Sequence, residues 1–237
     1  MNAFEIAALS MDRDMQRLTH IGQNLANVQT AGYKRVVHAA RPFTEALSAA
    51  SASDVDDTSI DSGAGPLRAS SNPLDLAIDG EGFFEFETPQ GPALSRQASL
   101  HVDGQGRLVN DAGLPVQSER GELRVAMPVA NLRVDAHGEV WADDRSIGKL
   151  RLSRVGNPGG LQPLGGGLYR PAADDATQAT DSPRVLAGQR EGSNVSSSAE
   201  MVRLMETSRH FEAMAKVVQG YDDAMDKAIR KLGDLGS

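Results

Sequence analysis

The sequence predicts an α+β protein. Its N- and C-terminal helices pair as an antiparallel coiled coil, and a central all-β domain lies between them in the chain. Three observations lead there. Apolar residues recur at four-and-three spacing near both chain ends. They alternate in short runs through the middle. The 24 Gly and 11 Pro supply many turns. The expected division is 1–35 plus 195–237 as a helical domain, 36–71 as a linker, and 72–194 as a β-rich domain.

The first helix has a start signal. Asn2 is placed to cap it and Glu5 to reach back, as in a capping box. Phe4, Ala8, Met11, Met15, Leu18, Gly22 and Leu25 then form a coiled-coil seam, with Asp12, Arg13, Asp14, Gln16 and Arg17 off it. Asn27, Thr30 and Gly32 are poor helix formers, so the helix should stop before Gly32. The last helix repeats the design. Ser197-Ser198-Ala199-Glu200 is a capping box, and the seam runs Met201, Leu204, Ser208, Phe211, Ala215, Val218, Asp222, Met225, Ile229 and Leu232. Met205, Met214, Val217, Tyr221 and Ala228 widen its apolar face, and a face this wide usually meets more than one neighbour. An isolated amphipathic helix is marginal in water, so the simplest partner for each terminal helix is the other.

In the middle, Leu74–Ile78 alternates and Phe83–Phe86 follows. The segments 101–108 and 133–140 each read as strand, Asp-initiated turn with Gly, strand. Asp103 and Asp135 bond the local backbone there, while Gly106 and Gly138 take positive φ. Further strands are expected at 114–117, 123–126, 147–155, 167–170 and 184–187.

Several chemistries find no support. The net charge is −8 with dispersed basic residues, a poor match for a phosphate backbone. Without cysteine there are no disulfides, thiolate nucleophiles or Cys-based metal sites. The five histidines, at 20, 38, 101, 137 and 210, form no His-Glu-x-x-His, and His20 and His210 read as solvated or capping residues. Counted from Asp54, an EF-hand would need Gly at Ser59 and Glu at Gly65. The glycine clusters lack the P-loop Lys-Ser/Thr, and no Gly-x-Ser-x-Gly elbow occurs. No stretch approaches the roughly 18 apolar residues of a bilayer span, and the N-terminus lacks a secretory signal pattern. The expectation is therefore no cofactor, metal, nucleic acid, membrane insertion or small-molecule substrate, and no enzyme.

Three segments carry a family resemblance. Residues 22–35, GQNLANVQTAGYKR, resemble the N-terminal signature of the flagellar rod and hook family. Residues 191–218, beginning EGSNV with Gly192 and Asn194, resemble its C-terminal signature. Residues 72–86, NPLDLAIDGEGFFEF, resemble the start of its β domain. The resemblance implies an axial protein of the bacterial flagellum. Its terminal helices would line an inner tube with the β domain outside, and its partners would be copies of itself, other axial subunits and the flagellar type III export apparatus. It implies export without a cleaved signal and residence in the basal body, where the rod crosses the periplasm. The length and the EGSNV junction are similar to proximal-rod members, and the AIDGEGFF segment to distal-rod members.

Under that resemblance, Phe4, Met11, Met15, Leu18, Leu25, Val28, Met201, Leu204, Phe211, Val218, Met225 and Ile229 are assembly-interface residues. Asn24 and Asn27 stand three apart on a helix and can each donate and accept a hydrogen bond, fixing register against a neighbour; alternatively, Asn27 ends the helix. Gly32 lets the chain turn. Two other readings share some features. A peptidoglycan hydrolase would need a catalytic constellation that is not found. A non-flagellar self-associating fibre or secretion-apparatus protein would share the heptads and turns.

Overall fold

The computed structural model describes residues 3–38, 58–129, 131–172, 177–180 and 184–234. The capping residue Asn2, linker residues 39–57 with the Asp-rich start at Asp54, and the side chains of Ala228 and Leu232 lie outside the described residues. The chain divides into two units, Met1–Ala26 with Ser196–Ser237, and Asn27–Val195.

The first unit consists of two helices, α1 (Ala3–Ala26, 24 residues) and α2 (Ser197–Asp234, 38 residues). Among the contacts between their described residues are Phe4 with Tyr221 (ring centroids 6.1 Å apart), Asp14 with His210 (2.6 Å) and Asn24 with Glu200 (3.5 Å). Position rises along α1 as it falls along α2. The inward stripe of α1 is Ala7, Asp14, Ile21 and Asn24, all buried, with Met11, Leu18 and Leu25 half-buried. It shares the last three with the expected seam. At 100° per residue, however, it is turned by roughly one-fifth of a turn, so that Ala7 and Asp14 stand where Ala8 and Met15 were expected. Met15 is 59% exposed. On α2, Leu204, Ser208, Phe211, Ala215 and Val218 are half-buried, but Glu200 rather than Met201 is the buried residue at the start. Beyond Tyr221 the seam residues Asp222, Met225 and Ile229 are exposed. The cause is length: Tyr221 already meets Phe4, and α1 has one further described residue.

The second unit is antiparallel throughout its named strands. A six-stranded sheet runs Gln162–Gly165, Leu168–Arg170, Gly91–Ser95, Phe83–Thr88, Leu152–Arg154, Gln178–Ala179. A four-stranded sheet runs Arg184–Ala187, Asp75–Asp79, Gln97–Val102, Leu108–Asn110. A three-stranded sheet spans Leu132–Val134, Glu139–Ala142 and Arg145–Lys149. Successive strand residues face opposite sides, and Phe83-Phe84 shows the consequence. Phe84 and Phe86 enter a large core with Leu76, Leu100, Leu108 and Val140, while Phe83 enters a second with Ile60, Leu94 and Tyr169. Residues 58–71, read from sequence as the end of a linker, contain two strands. Thr58–Ile60 pairs with Val36–His38, and Leu67–Ala69 with Gln189–Glu191.

The two Asp turns are alike. Asp103 Oδ1 accepts from the backbone N–H of Gln105 (2.9 Å) and Arg107 (2.8 Å), and Gly106 has φ +76°. Asp135 Oδ1 accepts from His137 and Glu139 (both 2.9 Å), and Gly138 has φ +80°. The Arg107 N–H holds the Asp103 carboxyl below the usual carboxylate range.

Candidate functional site

The segment that follows α1 and the segment that precedes α2 meet inside the second unit. Gly32, at φ +69°, donates its N–H to the Glu191 carbonyl (2.8 Å). Three residues on, the Arg35 N–H donates to Asn194 Oδ1 (2.7 Å), and Asn194 N–H donates to the Tyr33 carbonyl (3.3 Å). The Asn194 amide nitrogen donates to the carbonyls of Asp61 (2.9 Å) and Gly63 (3.1 Å). One carboxamide therefore ties three separate segments, using both its donor and its acceptor. Gly192 N–H donates to Pro66 O (2.9 Å). The Tyr169 hydroxyl accepts from Lys34 N–H (2.5 Å) and donates to Gly32 O (3.3 Å).

Beneath this backbone lattice lies a buried ion cluster. Glu191 is 1% exposed, Lys34 1% and Arg96 5%. Lys34 Nζ meets Glu191 Oε1 at 2.5 Å, and Arg96 Nε meets Oε2 at 3.0 Å. The Gly65 N–H adds a third bond to the carboxylate, at Oε1 (2.9 Å). The excess positive charge is spread over carbonyl dipoles: Lys34 donates to Gly63 O (2.7 Å), and Arg96 to Gly82 O (2.5 Å) and Ile78 O (3.1 Å). Burial is the main effect on Lys34 and pulls its pKa below the ordinary lysine value, with Glu191 opposing. Burial likewise raises the Tyr169 hydroxyl. A cleft of about 440 Å³ borders the cluster, walled by Leu67, Gly80, Gly82, Phe83 and Arg154. Both oxygens of Glu191 are held by cations, so the carboxylate is arranged to tie segments together and not to accept a substrate proton.

The structure brings Gly32, Gly192 and Asn194 together in this junction. Asn24 sits in the helical unit beside Glu200. Asn27 lies just past α1, where its carbonyl accepts from Thr30 N–H (3.1 Å) and its Oδ1 from the Thr30 hydroxyl (3.1 Å), the geometry of a turn. Sequence reasoning reads Lys34 only as the start of the exit toward the linker, gives Glu191 no role, reads Asp14 as off the seam and His210 as solvated or capping, and gives no role to Arg96 or Tyr169. The signal available was a charged residue embedded in each signature; the partner across 157 positions was not readable.

We expect Tyr169→Phe to cost about 1–3 kcal/mol, because the buried Lys34 N–H loses its acceptor. Urea unfolding followed by near-UV CD checks it.

A β-rich unit closed by a buried tie between the two ends of its own chain, and a separate pair of terminal helices, suit a structural protein. Comparison with known proteins agrees. Residues 77–142 match the model described as flagellar hook protein FlgE/F/G D1 domain, and residues 187–231 match flagellar basal body rod FlgEFG protein C-terminal. The chain is 30% identical over 252 residues to the flagellar basal-body rod protein FlgF of Escherichia coli, covering 96% of each chain. It is 26% identical to FlgF of Caulobacter vibrioides, covering 96% of each. It is 29% identical to the rod protein FlgG of Agrobacterium fabrum, covering 94% of this chain and 96% of the relative. The chain belongs to the flagellar basal-body rod protein family.

Proposed function

We propose that this protein is a non-enzymatic subunit of the flagellar rod in the basal body, of the FlgF type that builds the proximal rod, with the FlgG type of the distal rod as the alternative. Its helices act as an antiparallel coiled coil that packs with the helices of other axial subunits into a helical shaft, and the chain reaches that place through the flagellar type III apparatus without a cleaved signal. Many repeated interfaces then give a stiff, torque-transmitting assembly without any single strong contact.

The observation that carries this reading is the overhang of α2. Past Tyr221 it offers Met225 (47% exposed) and Ile229 (64%), both exposed among the described residues. Large apolar side chains left outside on a helix suit burial against a neighbour. FlgF and FlgG relatives are matched over nearly their full length alike, so the proximal reading rests on the chain's length and its EGSNV junction.

Deleting residues 219–237 is expected to leave the second unit folded and to abolish assembly. Its sheet dispersion by NMR should persist, while cells carrying only the truncated chain should fail to swim. Normal motility in those cells would refute the reading. Imaging of basal bodies in a strain lacking the chain separates the two members by where the rod stops.

A further inference from the structure

We propose that Asp14 and His210 are positioning residues that decide which face of α1 turns toward α2, and thereby which apolar face of the helical unit is left for neighbouring subunits. The second half of this statement rests on the rod-subunit reading above.

α1 carries two overlapping apolar stripes. One is Phe4, Ala8, Met11, Met15, Leu18, Gly22 and Leu25, and it contains no charge. The other is Ala7, Met11, Asp14, Leu18, Ile21 and Leu25, and it carries a carboxylate in its middle. Burying Met15 in place of Asp14 keeps a charge out of the interface, so transfer of apolar surface alone would favour the first stripe over this stretch. The chain uses the second, with Ala7 2% and Asp14 2% exposed and Met15 59% exposed.

The feature that reverses the preference is a single bond. His210 Nδ1 lies 2.6 Å from Asp14 Oδ2, and an ionised carboxylate can only accept, so the ring nitrogen donates. The Asp14 side chain is 3% exposed, while the imidazole is 49% exposed and keeps contact with water. A buried carboxylate is tolerated when a donor meets it and is costly when none does, so one rotation of α1 is selected. Asn24 and Glu200, both buried, repeat the arrangement nearer the other end of α1 with a longer contact of 3.5 Å. The polar pairs thus mark the intrachain face. Met15 (59% exposed) stays outside as apolar surface, while Phe4, 40% exposed, still meets Tyr221 at the end of the pair.

The chain has no cysteine, so an introduced thiol reports alone. The variants M15C and A7C would be made in the full-length chain, and thiol-labelling rates measured on dilute monomer, with and without His210→Leu. With His210 present, the thiol of M15C should label about tenfold faster than that of A7C, as accessibility requires. With His210→Leu the order should reverse while the helical far-UV CD signal is kept. His210→Asn, whose amide nitrogen takes the place of Nδ1, should restore the original order. An unchanged order in His210→Leu would overturn the proposal. So would fast labelling at both positions, because the pair would then only hold the helices together. The labelling is read on monomer and is independent of polymer formation. The rod-subunit reading fails separately, if the wild-type chain does not restore rods to a strain lacking it.

Discussion

Glu191→Ala is expected to destabilise the second unit by about 3–5 kcal/mol, the usual result of removing one partner from a buried ion pair. The substitution leaves Lys34 and Arg96 facing each other with 1% and 5% exposure and no anion between them. It also removes the acceptor of the Gly65 N–H. Glu191→Gln keeps the volume and part of the hydrogen bonding but not the charge, and should fall between alanine and wild type. Lys34→Met should cost less than Glu191→Ala, because the carboxylate retains Arg96. Urea midpoints with the slope held fixed give the ranking. Equal stability of Glu191→Ala and wild type would mean that the cluster contributes nothing to the fold.

The second large effect is expected at Gly65. A methyl group there would lie 2.0 Å from the backbone oxygen of Gly192, inside any real contact distance, and the obstacle is main chain that no rotamer change can move. Gly65→Ala should therefore cost about 3 kcal/mol, at the upper end of ordinary overpacking. The displaced backbone carries the bonds from Gly65 N–H to Glu191 and from Gly192 N–H to Pro66. Gly22→Ala is the control. Nothing lies within 4 Å of its added methyl and it sits within α1, so it should stabilise by up to about 1 kcal/mol. If thermal melts move both variants in the same direction, the close approach at Gly65 is not what sets the effect.

Periodic features could be read from the sequence, and pairings could not. The helices and the runs around Leu74–Ile78 and Phe83–Phe86 announce themselves by spacing, because each residue's environment repeats locally. The rotation of α1 does not, because the residue that makes a buried Asp14 acceptable stands 196 positions away. The run 147–155 reads as one strand but is two. At Leu150 and Arg151 the backbone bonds pass to Gly138 and Gln117, and the chain leaves the three-stranded sheet for the six-stranded one. Of the junction, Gly32, Gly192 and Asn194 were visible as motif residues. The ion cluster beneath them was not, since nothing local distinguishes a lysine that will be buried from one that stays in water.

The tie between Lys34 and Glu191 also sets an order of events. It joins residues 157 positions apart, and contacts of such long range form late and slowly. During synthesis Lys34 and Arg96 are present long before Glu191, and until it emerges both are ordinary solvated cations with no reason to leave water. The second unit therefore cannot be completed from its first part alone. A chain still growing cannot close this tie until its last fifth, which contains Glu191, is free, and closing it is the step that completes the unit.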